Sequence, residues 1–179
     1  MIEIFKLSSL SAPDDLQVII DQVRSIFYLS SSLKDFSSED KKNAFFKRWC
    51  GDYLTFFPEQ FLVMREDQKV LGYLSGCSDS KKAESIVEVP GYRVFSDLFE
   101  KYPAHFHINF HPDCRGLGYG SELVQKYCEV LNDQLIKGVH LVTSVGAPNI
   151  SFYKKLNFND QIERPFNNIT LLFMAKILE

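Results

Sequence analysis

Apolar residues recur at intervals of three and four near the amino terminus, over residues 16–27. This spacing places them on one face and predicts an amphipathic helix that ends near Leu29. The preceding segment 11–14, Ser-Ala-Pro-Asp, predicts a capping box with proline in the first turn. A second capping signal at Ser37 predicts a shorter helix over residues 41–50.

Strand patterns come before and after these helices. A short alternation at residues 2–5 predicts a first strand. Two apolar segments, 61–64 and 69–75, flank a polar tip and predict a β-hairpin. Residues 78–100 have no clear period, so we predict a long loop with a short helix near 95–101.

Strand and helix patterns alternate through the rest of the chain. The predicted elements are a strand at 105–111, a helix at 118–135, a strand at 139–143, a helix at 148–156 and a strand at 169–176. This order predicts a single α/β (α+β) domain over residues 1–179. We expect a mixed, mostly antiparallel central sheet flanked by about four helices.

The balance of charges limits the expected partners. The chain has 20 lysine and arginine residues against 23 aspartate and glutamate residues, a formal net charge of −3. We therefore expect no binding to nucleic acid or to an anionic membrane. The four cysteines are scattered, the amino terminus has no signal-peptide layout, and no apolar run approaches the about 18 residues that span a bilayer. A cytoplasmic location is expected.

A glycine-rich turn joins the strand at 105–111 to the helix that follows it. It reads Arg115-Gly116-Leu117-Gly118-Tyr119-Gly120. Glycine allows a tight bend and lets backbone N–H groups approach a ligand, and a helix amino terminus attracts negative charge. The turn therefore predicts a site for an anion with several oxygens.

The segment from His105 to Phe158 resembles the acyl-CoA binding core of the GNAT superfamily of N-acetyltransferases. Arg115, Gly118 and Gly120 match that family's signature. A second landmark is similar over residues 149–158, with Asn157 where the family has glycine, a residue that tolerates the same left-handed conformation. The run at 102–109 also resembles a GNAT subgroup related to the acetyltransferase-like domain attached to some O-GlcNAc hydrolases.

The resemblance implies acetyl-CoA as the cofactor. The central strand would splay from its neighbour so that its backbone pairs with the pantetheine arm, and the turn would bind the pyrophosphate. The implied cofactor-binding residues are Ile108, Asn109, Phe110, His111, Arg115, Gly116, Leu117, Gly118, Tyr119, Gly120, Ser121, Asn149 and Phe152. By the same resemblance, Tyr153 is the predicted catalytic acid for the leaving thiolate.

The base is less clearly indicated. Alternation along the strand places His105, His107, Asn109 and His111 on one face, which predicts a polar row along a cleft. Related sequences often carry an acid at position 109, and asparagine cannot act as a base. His107 is therefore the predicted base, with Glu88 or a chain of waters left open. No metal is expected, because no further ligand is placed to complete a histidine site.

The predicted activity is transfer of an acetyl group to a primary amine of an unidentified small molecule or protein. A catalytically inactive acyl-CoA-binding or protein-interaction module is the alternative hypothesis. Transfer of longer acyl chains is a third hypothesis. An aromatic cluster, Trp49, Tyr53, Phe56 and Phe57, is a candidate lining for the acceptor pocket or part of the core. Homodimerisation also stays open.

Overall fold

The chain forms seven strands and six α-helices, and the computed structural model describes all of residues 1–179. The strands are β1 (Ile2–Lys6), β2 (Phe61–Glu66), β3 (Lys69–Cys77), β4 (Ala104–Phe110), β5 (Gly138–Ser144), β6 (Asp160–Phe166) and β7 (Ile169–Ile177). The α-helices are α1 (Pro13–Ser30), α2 (Glu39–Phe46), α3 (Asp52–Phe56), α4 (Ser80–Ala83), α5 (Tyr119–Asp133) and α6 (Ile150–Lys155). None of the helices is both long and apolar enough to cross a bilayer.

The strand order is β1-β2-β3-β4-β5-β7-β6. The pairs β1/β2, β2/β3, β5/β7 and β6/β7 are antiparallel, whereas β4 and β5 are parallel. Two register pairs, Ala104 with Val139 and His105 with His140, join β4 to β5. The predicted mixed, mostly antiparallel α/β fold is confirmed.

The chain divides into two compact units. One contains residues 1–76 and 107–127, and the other contains residues 77–106 and 128–179. The first unit holds β1, β2, α1, α2, α3 and the end of β4, and the second holds β5, β6, β7, α4 and α6. The prediction of one domain over residues 1–179 stays a prediction.

In the first unit, α1 follows the predicted apolar stripe. Its buried side chains are Ile19, Val23, Ile26 and Phe27. The predicted capping box is wrong, because the residue before the helix is Ala12, which is extended and provides no side-chain hydrogen bond. Pro13 at the first position needs no acceptor, and the carboxylates of Asp14 and Asp15 favour the positive end of the helix dipole.

The second predicted helix is present but is divided. Ser38, not Ser37, is its cap, and the Ser38 hydroxyl accepts a hydrogen bond from the Lys41 N–H at 3.3 Å. After α2 the chain widens into a π-helical turn over Lys47–Gly51 and then continues as α3. Such turns contain one extra residue and often occur at functional sites.

In the second unit, the predicted loop of residues 78–100 contains two short helical segments. One is α4, capped by the Asp79 side chain, and the other is a 3-10 helix over Tyr92–Leu98. Arg164 of β6 donates to the Asp97 carboxylate through both terminal nitrogens of its guanidinium group, which connects this segment to β6. Pro148 lies in a turn before α6 and not in its first turn, whereas Asn157 is left-handed after α6, at φ 68°, as predicted.

Candidate cofactor and acceptor site

The glycine turn lies where the sequence predicted it, between β4 and α5. Gly116 and Gly118 have φ angles of 79° and 89°, a left-handed backbone that favours glycine. A Cβ added to either would meet no atom within 4 Å, so both glycines border open space. The N–H groups of Ser121 and Glu122 bond to the Gly118 carbonyl, at 3.0 and 3.3 Å. The N–H groups just before them begin the helix and point out of its amino terminus, which suits an anion.

Arg115 fixes this turn to the rest of the unit. Its guanidinium donates to the Ser30 hydroxyl at the end of α1, at 3.2 Å, and to the Phe110 carbonyl at the end of β4, at 3.4 Å. The Ser30 hydroxyl also donates to the Phe110 carbonyl, at 3.2 Å. Three elements therefore meet at one cation beside the turn.

These contacts also occupy the last backbone groups of the central strand. The Phe110 carbonyl accepts the two bonds just described, and the His111 N–H donates to the Leu71 carbonyl at 2.9 Å. The Phe110 side chain is buried and packs on Gly72, where an added Cβ would lie 2.3 Å from the ring. A pantetheine arm would have to pair with β4 before Phe110, at Ile108 and Asn109.

His107 lies in an aromatic environment. Its Nε2 is 3.4 Å from the Tyr53 hydroxyl, and the rings of Trp49 and Tyr53 both stand edge-on to the imidazole, with centroids 5.5 Å away. Burial lowers the pKa of His107 to about 4. The imidazole is therefore neutral at neutral pH and is a weak base.

Asn109 belongs to a second polar group on the same strand. Its amide nitrogen donates to the Tyr73 hydroxyl of β3 at 3.0 Å, and that hydroxyl also interacts with the Cys50 thiol. Burial raises the pKa of Cys50 to about 12 and also raises the pKa of Tyr73, so both groups stay protonated. Neither group can act as the base that a carboxylate at position 109 would provide.

The other two histidines of the predicted row have separate surroundings. His105 is buried in the second unit, with Nδ1 2.7 Å from the Ser80 hydroxyl. The Nδ1 of His111 accepts from the Asp113 N–H at 3.4 Å, which caps the turn after β4. Of the predicted polar row, His107 and Asn109 are both half-buried on β4, whereas His105 is buried and His111 lies after the strand, so the four side chains do not form one row along a cleft. No three His, Cys, Asp or Glu side chains come together as a metal site.

The predicted residues Asn149, Phe152 and Tyr153 lie in the second unit. Tyr153 of α6 is buried among the rings of Phe106, Phe152 and Phe158, and burial raises its pKa. The Asn149 side-chain oxygen accepts from the Thr143 hydroxyl at 3.2 Å. The structure thus brings Asn149, Phe152 and Tyr153 together around α6, and Tyr153 keeps its proton at neutral pH. Glu88 is exposed in the long loop.

Ser30 and Tyr73 contact predicted site residues but were not themselves predicted. In the sequence, Ser30 belongs to a run of serines that indicates only the end of a helix. Tyr73 belongs to a predicted strand, and nothing near it in the sequence indicates a functional role. Both act through long-range contacts, 80 and 36 residues away in the sequence, and no local pattern indicates such contacts.

The comparisons with known proteins fit the glycine turn. Residues 23–158 match the model of the Acetyltransferase (GNAT) family. The chain belongs to the GNAT acetyltransferase family. That match includes β4, the turn, α5 and α6 of this acetyltransferase. No curated protein sequence matches it.

Several solved structures share the fold of this acetyltransferase. The crystal structure of SsHAT is 20% identical, with a TM-score of 0.75, over 99% of this chain and 98% of that one. The PaiA N-acetyltransferase from Thermoplasma acidophilum, solved with coenzyme A, is 15% identical with a TM-score of 0.61, over 99% of both chains. YncA from Salmonella typhimurium, a putative acetyltransferase solved with acetyl-CoA, is 16% identical with a TM-score of 0.56, over 99% and 94%. At these identities the likeness shows the fold alone.

Proposed function

We propose that this protein transfers the acetyl group of acetyl-CoA to a primary amine. The observation that carries the proposal is the turn at Gly116 and Gly118, which is left-handed, open and directly before α5 within the family match. Backbone N–H groups of residues 117–120 would bind the pyrophosphate, since the Ser121 N–H donates to the Gly118 carbonyl. Arg115 would add positive charge while it holds the end of β4 in place.

The reaction needs few protein groups. Acetyl-CoA supplies a thioester whose carbonyl carbon is attacked by the amine nitrogen, so that a C–N bond forms and the C–S bond breaks. The thiolate must then gain a proton. We assign that step to Tyr153 on the family resemblance. Burial raises the pKa of Tyr153, so its hydroxyl is protonated at neutral pH and has a proton to donate toward the thiolate, although the raised pKa makes it a weaker acid. His107 can accept a hydrogen bond from the amine, but its low pKa makes it a poor base.

A non-catalytic acyl-CoA binder is the second candidate. It is favoured by one observation, that position 109 holds an amide bonded to Tyr73 and not a carboxylate. Binding of acetyl-CoA without transfer to any amine would support this candidate. Competition between acetyl-CoA and longer acyl-CoA esters would identify the preferred chain.

Turnover of acetyl-CoA, followed by release of the CoA thiol in the presence of primary amines, tests the proposal. Tyr153→Phe is expected to lower kcat by about 100-fold and to leave acetyl-CoA affinity unchanged. Tyr102→Phe is the matched control, because Tyr102 is a tyrosine of the same unit that donates to Asp160. Equal kcat in parent and Tyr153→Phe would remove Tyr153 from the mechanism.

Three further predictions belong to this proposal. The subgroup resemblance at residues 102–109, the cytoplasmic location and the homodimer each stay a prediction. Sedimentation of the purified protein measures the oligomeric state.

A further inference from the structure

The surface around His107 has a layered arrangement. Trp49, His107 and Asn109 are each half-buried, whereas Tyr53 and Tyr73 beneath them are fully buried. The two tyrosine hydroxyls contact His107 and Asn109 from within. The partly exposed surface therefore consists of an indole, an imidazole and an amide, with two buried tyrosine side chains beneath them. We call Trp49, His107 and Asn109 the aromatic face.

The π-helical turn sets the position of Trp49 in this face. Lys47–Gly51 is the π-helical segment between α2 and α3, and Trp49 lies in its middle. The indole meets the imidazole nearly at right angles, with an interplanar angle of 81°. Aromatic rings favour such edge contacts and offset stacking, so the face suits a further aromatic ring.

The charged residues next to Trp49 in the sequence provide no unpaired carboxylate for a cation. Lys47 and Arg48 come directly before Trp49 and are both exposed. The nearby acid Asp52 is already paired, its carboxylate 2.8 Å from the Lys47 amine. The face itself, an indole, a neutral imidazole and an amide, has no negative group to pair with an ammonium.

We propose, resting on the function proposed above, that the acceptor is an aryl-bearing amine that enters as its uncharged free base and packs against Trp49. The proton balance agrees with a face that has no carboxylate. The neutral nitrogen forms the C–N bond, loses one N–H proton, and the departing thiolate gains one proton. The sum of amine and thioester gives amide and thiol, so no external base is consumed.

Rates of acetyl transfer to three amines, measured at several pH values, test the proposed acceptor. The amines are 4-methylaniline, which is neutral at pH 7, 2-phenylethylamine, which is mostly protonated there, and spermidine. We expect kcat/KM for 2-phenylethylamine to rise about tenfold per pH unit between about pH 6.5 and 8.5, following its free base. The value for 4-methylaniline should stay flat, and spermidine should react at least about tenfold more slowly than either.

Trp49 is the one tryptophan of the chain, so its fluorescence gives a binding signal that does not depend on turnover. The signal should change with 2-phenylethylamine and more strongly at higher pH. Trp49→Ala should raise KM for 4-methylaniline by about tenfold, and Trp49→Phe should restore most of the loss. Phe5→Ala is the matched control, because Phe5 is a half-buried aromatic residue of β1 whose ring lies against the Arg65 guanidinium.

The outcomes separate this inference from the proposed function. Binding of acetyl-CoA with faster transfer to spermidine, or with no transfer to either aryl amine, would overturn the aryl acceptor alone. A pH-independent kcat/KM for 2-phenylethylamine would contradict entry as the free base. Failure of acetyl-CoA to bind would overturn the proposed function as well. If Trp49→Ala does not fold, Trp49→Phe still tests the inference, provided that its denaturant midpoint is close to that of the parent.

Discussion

The glycine turn and the aromatic face lie in the same unit but are built in different ways. The turn consists of backbone groups from one continuous segment, residues 115–121, and only Arg115 reaches out from it to α1 and β4. The face consists of side chains from β4 and the π-helical turn, over tyrosines of α3 and β3. A site made of local backbone is conspicuous in the sequence, whereas a site made of distant side chains is not.

The largest expected effect concerns His107 of the aromatic face. Its pKa in the folded protein, about 4, lies below the ordinary value of 6.5, so the unfolded chain binds the proton first as pH falls. Stability should therefore be lost between about pH 6.5 and pH 4, by about 3 kcal/mol. Urea unfolding of the parent and of His107→Gln at pH 7 and pH 4 measures the difference, and His111→Gln is the control. The same loss in His107→Gln as in the parent would refute the assignment.

The next effect concerns the support under the turn. Gly72→Ala would place a Cβ 2.3 Å from the Phe110 ring, at the end of the strand that leads into the turn. Overpacking of this kind should lower the free energy of unfolding by about 2 kcal/mol. Gly51→Ala is the matched control, because its Cβ would meet Phe46 at an ordinary 3.4 Å and should cost nothing. Equal denaturant midpoints for the two variants would show that Phe110 moves aside freely.

A smaller effect is expected from Arg115→Lys, which keeps the charge but not the planar group. Lysine cannot reproduce the paired contacts to Ser30 and Phe110, so acetyl-CoA affinity should fall about tenfold. Lys34→Met removes a different cation, one that caps the last carbonyls of α1, at 2.9 and 3.0 Å. That control should keep parental affinity in a binding titration. Parental affinity in Arg115→Lys would mean that only the charge matters.

The smallest effect is expected from Tyr53→Phe. The contact between the Tyr53 hydroxyl and His107 is long, 3.4 Å, so its loss should change stability by at most about 1 kcal/mol. Because burial causes the low pKa of His107, that pKa should stay well below its ordinary value. An NMR titration of the His107 ring protons measures it. A return to the ordinary value would show that the hydroxyl, and not burial, controls the imidazole.

The sequence predicted the fold and the turn because both depend on local rules. Apolar spacing indicated α1 and the β2–β3 hairpin, and the glycines indicated a left-handed turn at Gly116 and Gly118. The predicted caps were each wrong by one residue. Ser38 caps α2 in place of the equivalent Ser37, and Ala12, which provides no side-chain cap, precedes α1 in place of Ser11.

The aromatic face shows where local rules stop. Alternation predicted that His105, His107, Asn109 and His111 share one face of the strand, but it could not show that His105 is buried in the other unit. Nor could it show that Tyr53 and Tyr73 reach His107 and Asn109, since these contacts span 54 and 36 residues. Long-range packing decides such contacts, and with them the chemistry of the histidines.

Calorimetric titration of acetyl-CoA into the parent protein and into Gly118→Trp tests the central claim most directly. Leu135→Trp is the control, because it adds the same side chain at an 88% exposed position beyond the other end of α5. We predict that the parent and Leu135→Trp bind acetyl-CoA and that Gly118→Trp loses at least about 100-fold in affinity. Equal binding by all three proteins would contradict the assignment of the turn, and no binding by the parent would contradict acyl transfer from acetyl-CoA altogether.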